Sequence, residues 1–356
     1  MPPLEDLVPY LERIWASGVL TNRGALHDEL ENHLRERLDV DHLSLVSNAT
    51  LGLMLALRQL GLGGEVITTP FSFVATSHAL LWAGLTPVFV DIDPETFNLD
   101  PDLIEDAITD RTSAILPVHC FGRACDIEAI DRIAERYGLR VLYDAAHCFD
   151  VRVGERGILR AGDLSVVSFH ATKVFNTFEG GAIACGDAAT KAQIDRLANF
   201  GITSEGHVTG LGLNAKLNEA SCAMGLASLP HLDEALCRRR QVSARYRSLL
   251  SDCRGIRIPE PPSGQTENHS YFPIEVLDSH TLDRDSLLCL LRAHGVHARR
   301  YFYPLLPDLE IMQEHASRWR GETPRARELA SRILCLPIHP GMEDRDVERV
   351  AWLVSA

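Results

Sequence analysis

Between residues 47 and 144 the sequence changes period again and again. Runs spaced like one face of a helix, at 49–61, 74–84, 101–108 and 126–137, alternate with short apolar runs at 65–69, 86–91, 113–119 and 140–144. The short runs read as strands. Strands separated by helices pair in parallel, because each helix carries the chain back to the starting edge of the sheet. The expectation is an α/β fold whose mostly parallel central sheet is covered on both faces. In such a sheet ligands bind outside the carboxyl ends of the strands.

Three stretches carry chemistry-bearing residues suited to that edge. The first is Asp163 to Cys185, which reads strand, polar connector, Gly180-Gly181, strand. Lys173 sits on the connector, and only Lys191 and Lys216 are lysines besides it. A connector lysine is either a solvated charge or an amine that condenses with a carbonyl compound. The second is Val141-Leu142-Tyr143-Asp144-Ala145-Ala146-His147, a strand running into a carboxylate. Asp144 either caps a following helix or stands beside the ring nitrogen of pyridoxal phosphate, keeping it protonated. The third is Ser47 to Leu57, small polar residues ahead of an apolar helix. The backbone at Asn48, Ala49 and Thr50 would offer N–H groups and a helix dipole to the cofactor phosphate, which is compatible with ordinary capping by Ser47 or Asn48.

Together these stretches, with GVLTNRGALHDELENHL, PFSFVAT, CFGRACDIEAI, YFYPL and LCLPIHPGM in the same order, resemble the DegT/DnrJ/EryC1/StrS family of sugar aminotransferases. The resemblance runs from about residue 18 to about residue 350. It implies fold type I of the pyridoxal-phosphate enzymes, with a large α/β domain over 1–250 and a small α+β domain over 251–356. It implies pyridoxal 5′-phosphate as cofactor, cycling between aldehyde and amine forms, with Lys173 and Asp144 as catalytic residues. By motif position, Phe73 would stack on the cofactor ring, although the residue type alone is equally suited to a core. His147 would contact the cofactor and Ser168 its phosphate. Asn214, with Asn218 as the alternative, would reach the phosphate in a neighbouring subunit, which implies a homodimer with shared sites. The implied reactants are L-glutamate and a nucleotide-linked keto-sugar aminated at C3 or C4. His170, three residues before the lysine, resembles the C4-aminating members, so a dTDP-linked 4-keto-6-deoxyglucose is expected, for deoxyaminosugar and O-antigen synthesis. A C3-aminating enzyme and a cofactor-binding regulatory member are the alternatives.

Composition agrees with a globular enzyme: 46% of residues are hydrophobic and 24% charged. A net charge of −14 argues against a nucleic-acid or anionic-membrane partner. Arg238-Arg239-Arg240 and Arg299-Arg300 are candidates for a nucleotide diphosphate, or are solvated helix charges. Nine cysteines without a CxxC spacing read as reduced core thiols, Cys120, Cys185, Cys222 and Cys289 among them, in a cytoplasmic protein without a metal site. No leader-like segment or long apolar window occurs. Thr209 to Asn214 lacks the third glycine of a dinucleotide turn.

The rest of the chain reads as follows. Leu26, Leu30, Leu34 and Leu38 recur at i+4, giving a helix over 25–38. Residues 186–245 are helical with a break at 201–214, and one helix is expected over 219–250. Pro259 to Gly264 reads as a linker. Strands are expected at 271–276 and 296–302, an extended segment at 334–337, and helices at 283–294 and 343–353.

Overall fold

The computed structural model describes residues 1–261, 263–315 and 322–356. Seven strands form the large sheet: β1 (His42–Val46), β2 (Glu65–Thr68), β3 (Thr86–Phe89), β4 (Thr112–Leu116), β5 (Arg140–Asp144), β6 (Leu164–Ser168) and β7 (Gly181–Cys185). Their spatial order is β1-β7-β6-β5-β4-β2-β3. From β6 to β3 every pairing is parallel; β7 is antiparallel to both β6 and β1. Six strands therefore point one way, and β7 alone runs back.

The sheet is apolar on both faces because helices cover both. Val166 and Val167, adjacent on β6, divide between the two cores. Val166 joins Leu53, Ala56 and Leu57 of α3 (Ala49–Leu60). Val167 joins Leu26, Leu30 and Leu34 of α2 (Ala25–Arg37), behind α1 (Leu4–Ser17). The i+4 leucines are almost wholly buried, each contributing roughly 1.5–3 kcal/mol of transfer free energy. Next along the chain come α4 (Val74–Trp82), α5 (Ile127–Tyr137) and α6 (Ala188–Leu197).

Several expectations are corrected. The strand β1 was not expected; its run of five residues pairs antiparallel with β7. The segment 101–108 is a 3-10 turn, Pro101–Leu103, followed by a single helical turn, Ile104–Ala107. The break after α6 contains a small hairpin, Ile202–Ser204 with His207–Val208. The helix expected over 219–250 is two helices, α7 (Glu219–Ser228) and α8 (Leu232–Leu250). They are separated by the 3-10 turn Leu229–His231, where Pro230 has no N–H to continue the ladder. No strand forms at 296–302; the backbone of Arg299 exchanges two hydrogen bonds with Cys335 and the chain then turns toward Pro304. Cys289 is exposed rather than a core thiol.

A second sheet, β8 (Ile256–Arg257), β9 (Phe272–Val276) and β10 (Ile333–Leu336), is antiparallel throughout. It shares a core with Val242, Tyr246 and Leu250 of α8, with α9 (Arg284–Ala293), and with the last helix, α10 (Asp344–Val354). Pro262, within the linker stretch, lies outside the described residues.

Candidate active site

The strands that point one way end on one edge of the large sheet, and the residues singled out above gather there. Asp144 is the last residue of β5 and is 5% exposed. Its two oxygens are held separately: Oδ1 accepts from the Ala146 N–H at 3.1 Å, and Oδ2 from the Thr76 hydroxyl at 2.7 Å. Ser72 Oγ lies 2.8 Å behind, on Thr76 Oγ1. Burial raises the carboxyl above its ordinary range; the Thr76 and Ala146 hydrogen bonds and the nearby Lys173 charge oppose that rise.

Lys173 lies on the connection from β6 to β7, in a turn closed by its own N–H on the His170 carbonyl at 2.8 Å. Its Nζ donates to Tyr271 Oη at 3.2 Å and stands 5.6 Å from the centre of that ring. Burial pushes the amine down to about 8, with attraction to Asp144 acting the other way. His147 accepts the Phe121 N–H at Nδ1 at 3.1 Å, which leaves the ring proton on Nε2. Burial, then the Lys173 charge, holds this imidazole well below its ordinary range, so it is neutral.

Val46, Gly181 and Ser168 lie abreast on three neighbouring strands. The helix α3 begins just beyond Val46, capped by Asn48 Oδ1, which accepts from Leu51 N at 2.9 Å. The amides of Ala49 and Thr50 stand ahead of the helix hydrogen-bond ladder. A Cβ at Gly181 would come within 2.9 Å of Ala49 N and 2.8 Å of the Val167 carbonyl. Only glycine lets the helix terminus come down onto β7 here. With the Ser168 hydroxyl at the end of β6, these amides are donors of the kind an anion accepts from.

Phe73, at the N-cap position of α4, is 56% exposed, which rules out a core role. Asn214 is exposed and its Oδ1 accepts from Lys216 at 2.8 Å; among the described residues it touches none of the groups above. Asn218 is the N-cap of α7 and spends its side-chain oxygen on Ser221 N at 2.9 Å. His170 accepts the Thr172 N–H at Nδ1, and its Nε2 is 3.5 Å from Glu179 Oε1. A cleft of about 830 Å³ beside Lys173 is lined by Phe175, His231, Arg238, Arg239 and His339, among others. Another, of about 740 Å³, opens where β5 and β6 begin, far from these residues.

The model described as the DegT/DnrJ/EryC1/StrS aminotransferase family matches residues 4–355. The chain belongs to the DegT/DnrJ/EryC1/StrS aminotransferase family. The dTDP-4-amino-4,6-dideoxy-D-glucose transaminase of Shigella dysenteriae is 48% identical over 350 residues, covering 98% of this chain and 95% of that protein. The structure of DesI in the presence of its TDP-sugar product superposes with a TM-score of 0.93 at 40% identity, over 100% of this chain and 90% of that one. That of ntda from Bacillus subtilis with bound cofactor PMP gives 0.85 at 29% identity, over 99% and 82%.

This DegT/DnrJ/EryC1/StrS aminotransferase also holds residues that sequence reasoning did not single out. Tyr271, at the edge of the smaller sheet, meets Lys173 across 98 positions of sequence, so no local pattern announces it. Thr76 had a weak signal, three residues after Phe73 on the same helix. Glu219 is buried, and its carboxylate accepts from the N–H groups of Gly24, Leu26 and His27 at 3.1, 2.9 and 3.2 Å, capping α2 from another helix. Arg238 and Arg239, read as possible diphosphate ligands, line the cleft beside Lys173 and also hold the fold. Arg238 donates to the Met342 carbonyl and Asp344, and Arg239 to the His269 and Ile338 carbonyls. Among the described residues no helix is long and apolar enough to cross a membrane, and no group of three side chains is placed to hold a metal ion.

Proposed function

We propose that this aminotransferase uses pyridoxal 5′-phosphate to transfer the amino group of L-glutamate to C4 of dTDP-4-keto-6-deoxyglucose, giving dTDP-4-amino-4,6-dideoxyglucose. The observation that carries the cofactor reading is the pairing of a half-buried, weakened amine on Lys173 with the buried, doubly hydrogen-bonded Asp144. The residues fit the group. Ala49, Thr50 and Ser168 surround a position for its phosphate, and Phe73 offers an unpacked aromatic face near Thr76. The sugar reading rests on likeness to the Shigella transaminase along almost the whole of both chains, and to DesI.

Pyridoxal phosphate, when bound, supplies an aldehyde for the lysine and a cationic ring that takes up the electron pair left at the donor α-carbon. The chain's own residues do the rest. Lys173 Nζ, deprotonated near neutral pH far more readily than an ordinary lysine, takes the proton from the donor α-carbon. Asp144 would keep the ring nitrogen of the bound cofactor protonated. Neutral His147 donates from Nε2 without adding a competing cation. Tyr271 restrains Nζ when it is free. The cleft beside Lys173 has the volume of a small-molecule site.

A second copy is part of the reading. Phe178, Phe200, Leu211 and, on the small hairpin, Val208 are 47, 48, 75 and 62% exposed. Asn214, exposed nearby, would give up its contact with Lys216 to reach a neighbour's phosphate seat.

Spectroscopy of each half-reaction tests the proposal. Glutamate should bleach the aldehyde absorbance and release 2-oxoglutarate. The 4-keto sugar should then restore the absorbance. Restoration by a 3-keto nucleotide sugar alone would move the reaction to C3. Cofactor binding without release of 2-oxoglutarate would make the protein a regulatory member. A protein that takes up no cofactor would end the reading.

A further inference from the structure

Thr76 holds one oxygen of Asp144. It is wholly buried, on the first turn of α4, and reaches from the end of β2 to the carboxylate at the end of β5. A hydroxyl has one proton to give. If Thr76 gives it to Asp144 Oδ2 at 2.7 Å, then the contact at 2.8 Å behind it runs the other way, with Ser72 donating to Thr76. The three groups form a directed chain, Ser72 to Thr76 to Asp144, closed from solvent. The far oxygen of the carboxylate is held by the Ala146 N–H. With both oxygens held by different elements, the plane of the carboxylate is fixed, and the charged form has two donors inside a site that otherwise disfavours charge.

We propose that Thr76, backed by Ser72, is the positioning residue that keeps the Asp144 carboxylate ionised and in one orientation. Other titratable groups face Asp144 from the elements around it. Lys173 comes from the β6–β7 connection, and His147 and Cys148 follow β5. His119, which packs under the end of β5 through its backbone N–H on the Asp144 carbonyl, is buried and uncharged. Of these only Lys173 is a cation near neutral pH, and its charge also favours the carboxylate. Removing the Thr76 hydroxyl withdraws a donor from the charged form and so raises the pH at which Asp144 takes up a proton.

The test uses Thr76→Val, Thr76→Ser and Ser72→Ala. In cofactor-free protein, carbon-13 labelled aspartate followed by infrared spectroscopy reads the Asp144 carboxylate band against pH, with Asp144→Asn identifying the signal. Thr76→Val should move that titration upward by about one to two pH units, the worth of a hydrogen bond to a charge. Ser72→Ala should move it less in the same direction, and Thr76→Ser should leave it in place. In the loaded enzyme, the acid limb of kcat/KM should follow the same order; this arm alone rests on the cofactor reading. An unmoved carboxylate titration in Thr76→Val would overturn the proposal. So would a Thr76→Ser variant as impaired as Thr76→Val, since the methyl group would then be what matters. If Thr76→Val does not fold, an unmoved titration in Ser72→Ala overturns the directed chain.

Discussion

The amine of Lys173 is pulled down to about 8 by burial and held from falling further by Asp144. Condensation with an aldehyde needs the neutral amine, so cofactor capture by the empty protein should quicken as pH rises through about 8, well below the range of an exposed lysine. Stopped-flow absorbance measures it. In Asp144→Asn the attraction is gone and the midpoint should move lower, even though turnover is lost. Lys173→Ala should lose turnover by at least roughly a hundred- to ten-thousandfold, the usual contribution of a positioned base. An active Lys173→Ala enzyme would overturn the assignment of the base. At this scale the sequence was most legible where one residue does one job. Asp144 ends a strand and Lys173 sits on the short connection between two others, so each has a local pattern around it. Tyr271 was invisible because its partner lies in a different part of the chain. Asn214 and Asn218 look alike in sequence, and only the structure shows that Asn218 caps a helix.

Among the elements, the alternating periods between 47 and 144 gave the parallel half of the sheet, because each buried strand there is a short unbroken apolar run. The strand β1 escaped notice because His42 and Ser44 interrupt its apolar positions and its partner β7 comes from far downstream. Pro230 is the local reason α7 and α8 separate, though the residues around it keep a helical pattern. The cap on α2 is of the same kind: Gly24 has no side chain to cap with, and Glu219 supplies the acceptor from α7. Glu219→Ala should cost about 1–3 kcal/mol, since three helix-start amides lose their acceptor inside the protein. Urea unfolding checks this, and a loss under half a kcal/mol would show water filling the role. We further propose that the small domain begins at about residue 251, after α8, whose Val242, Tyr246 and Leu250 already pack in the smaller sheet's core. Limited proteolysis should cut in the 259–264 stretch first. Protection there, with early cleavage elsewhere, would reject that boundary.

For the molecule as a whole, the test of a shared site is complementation. Lys173→Ala and Asn214→Ala chains should each be inactive or weak alone. Mixed and allowed to exchange, they should regain partial activity, because one of the two sites in a hybrid pair is then intact. A mixture no better than its parts would confine Asn214 to its own chain, and sedimentation should report a dimer throughout. The general architecture was readable from one sequence because it follows from periodicity and length. A second copy was implied by the family resemblance alone, since exposed apolar residues such as Leu211 look the same in sequence as buried ones.

The lone reversed strand has a mechanical consequence. The segment bearing the reactive amine is stitched at both ends, by Phe169 N–H to the Gly180 carbonyl at 2.9 Å and by Thr177 N–H to the Phe169 carbonyl at 3.0 Å. It is a closed bight rather than a free flap. The amine can swing on its own four-carbon tether while these bonds restrain the backbone beneath it, so its reach is set by the side chain rather than by the loop.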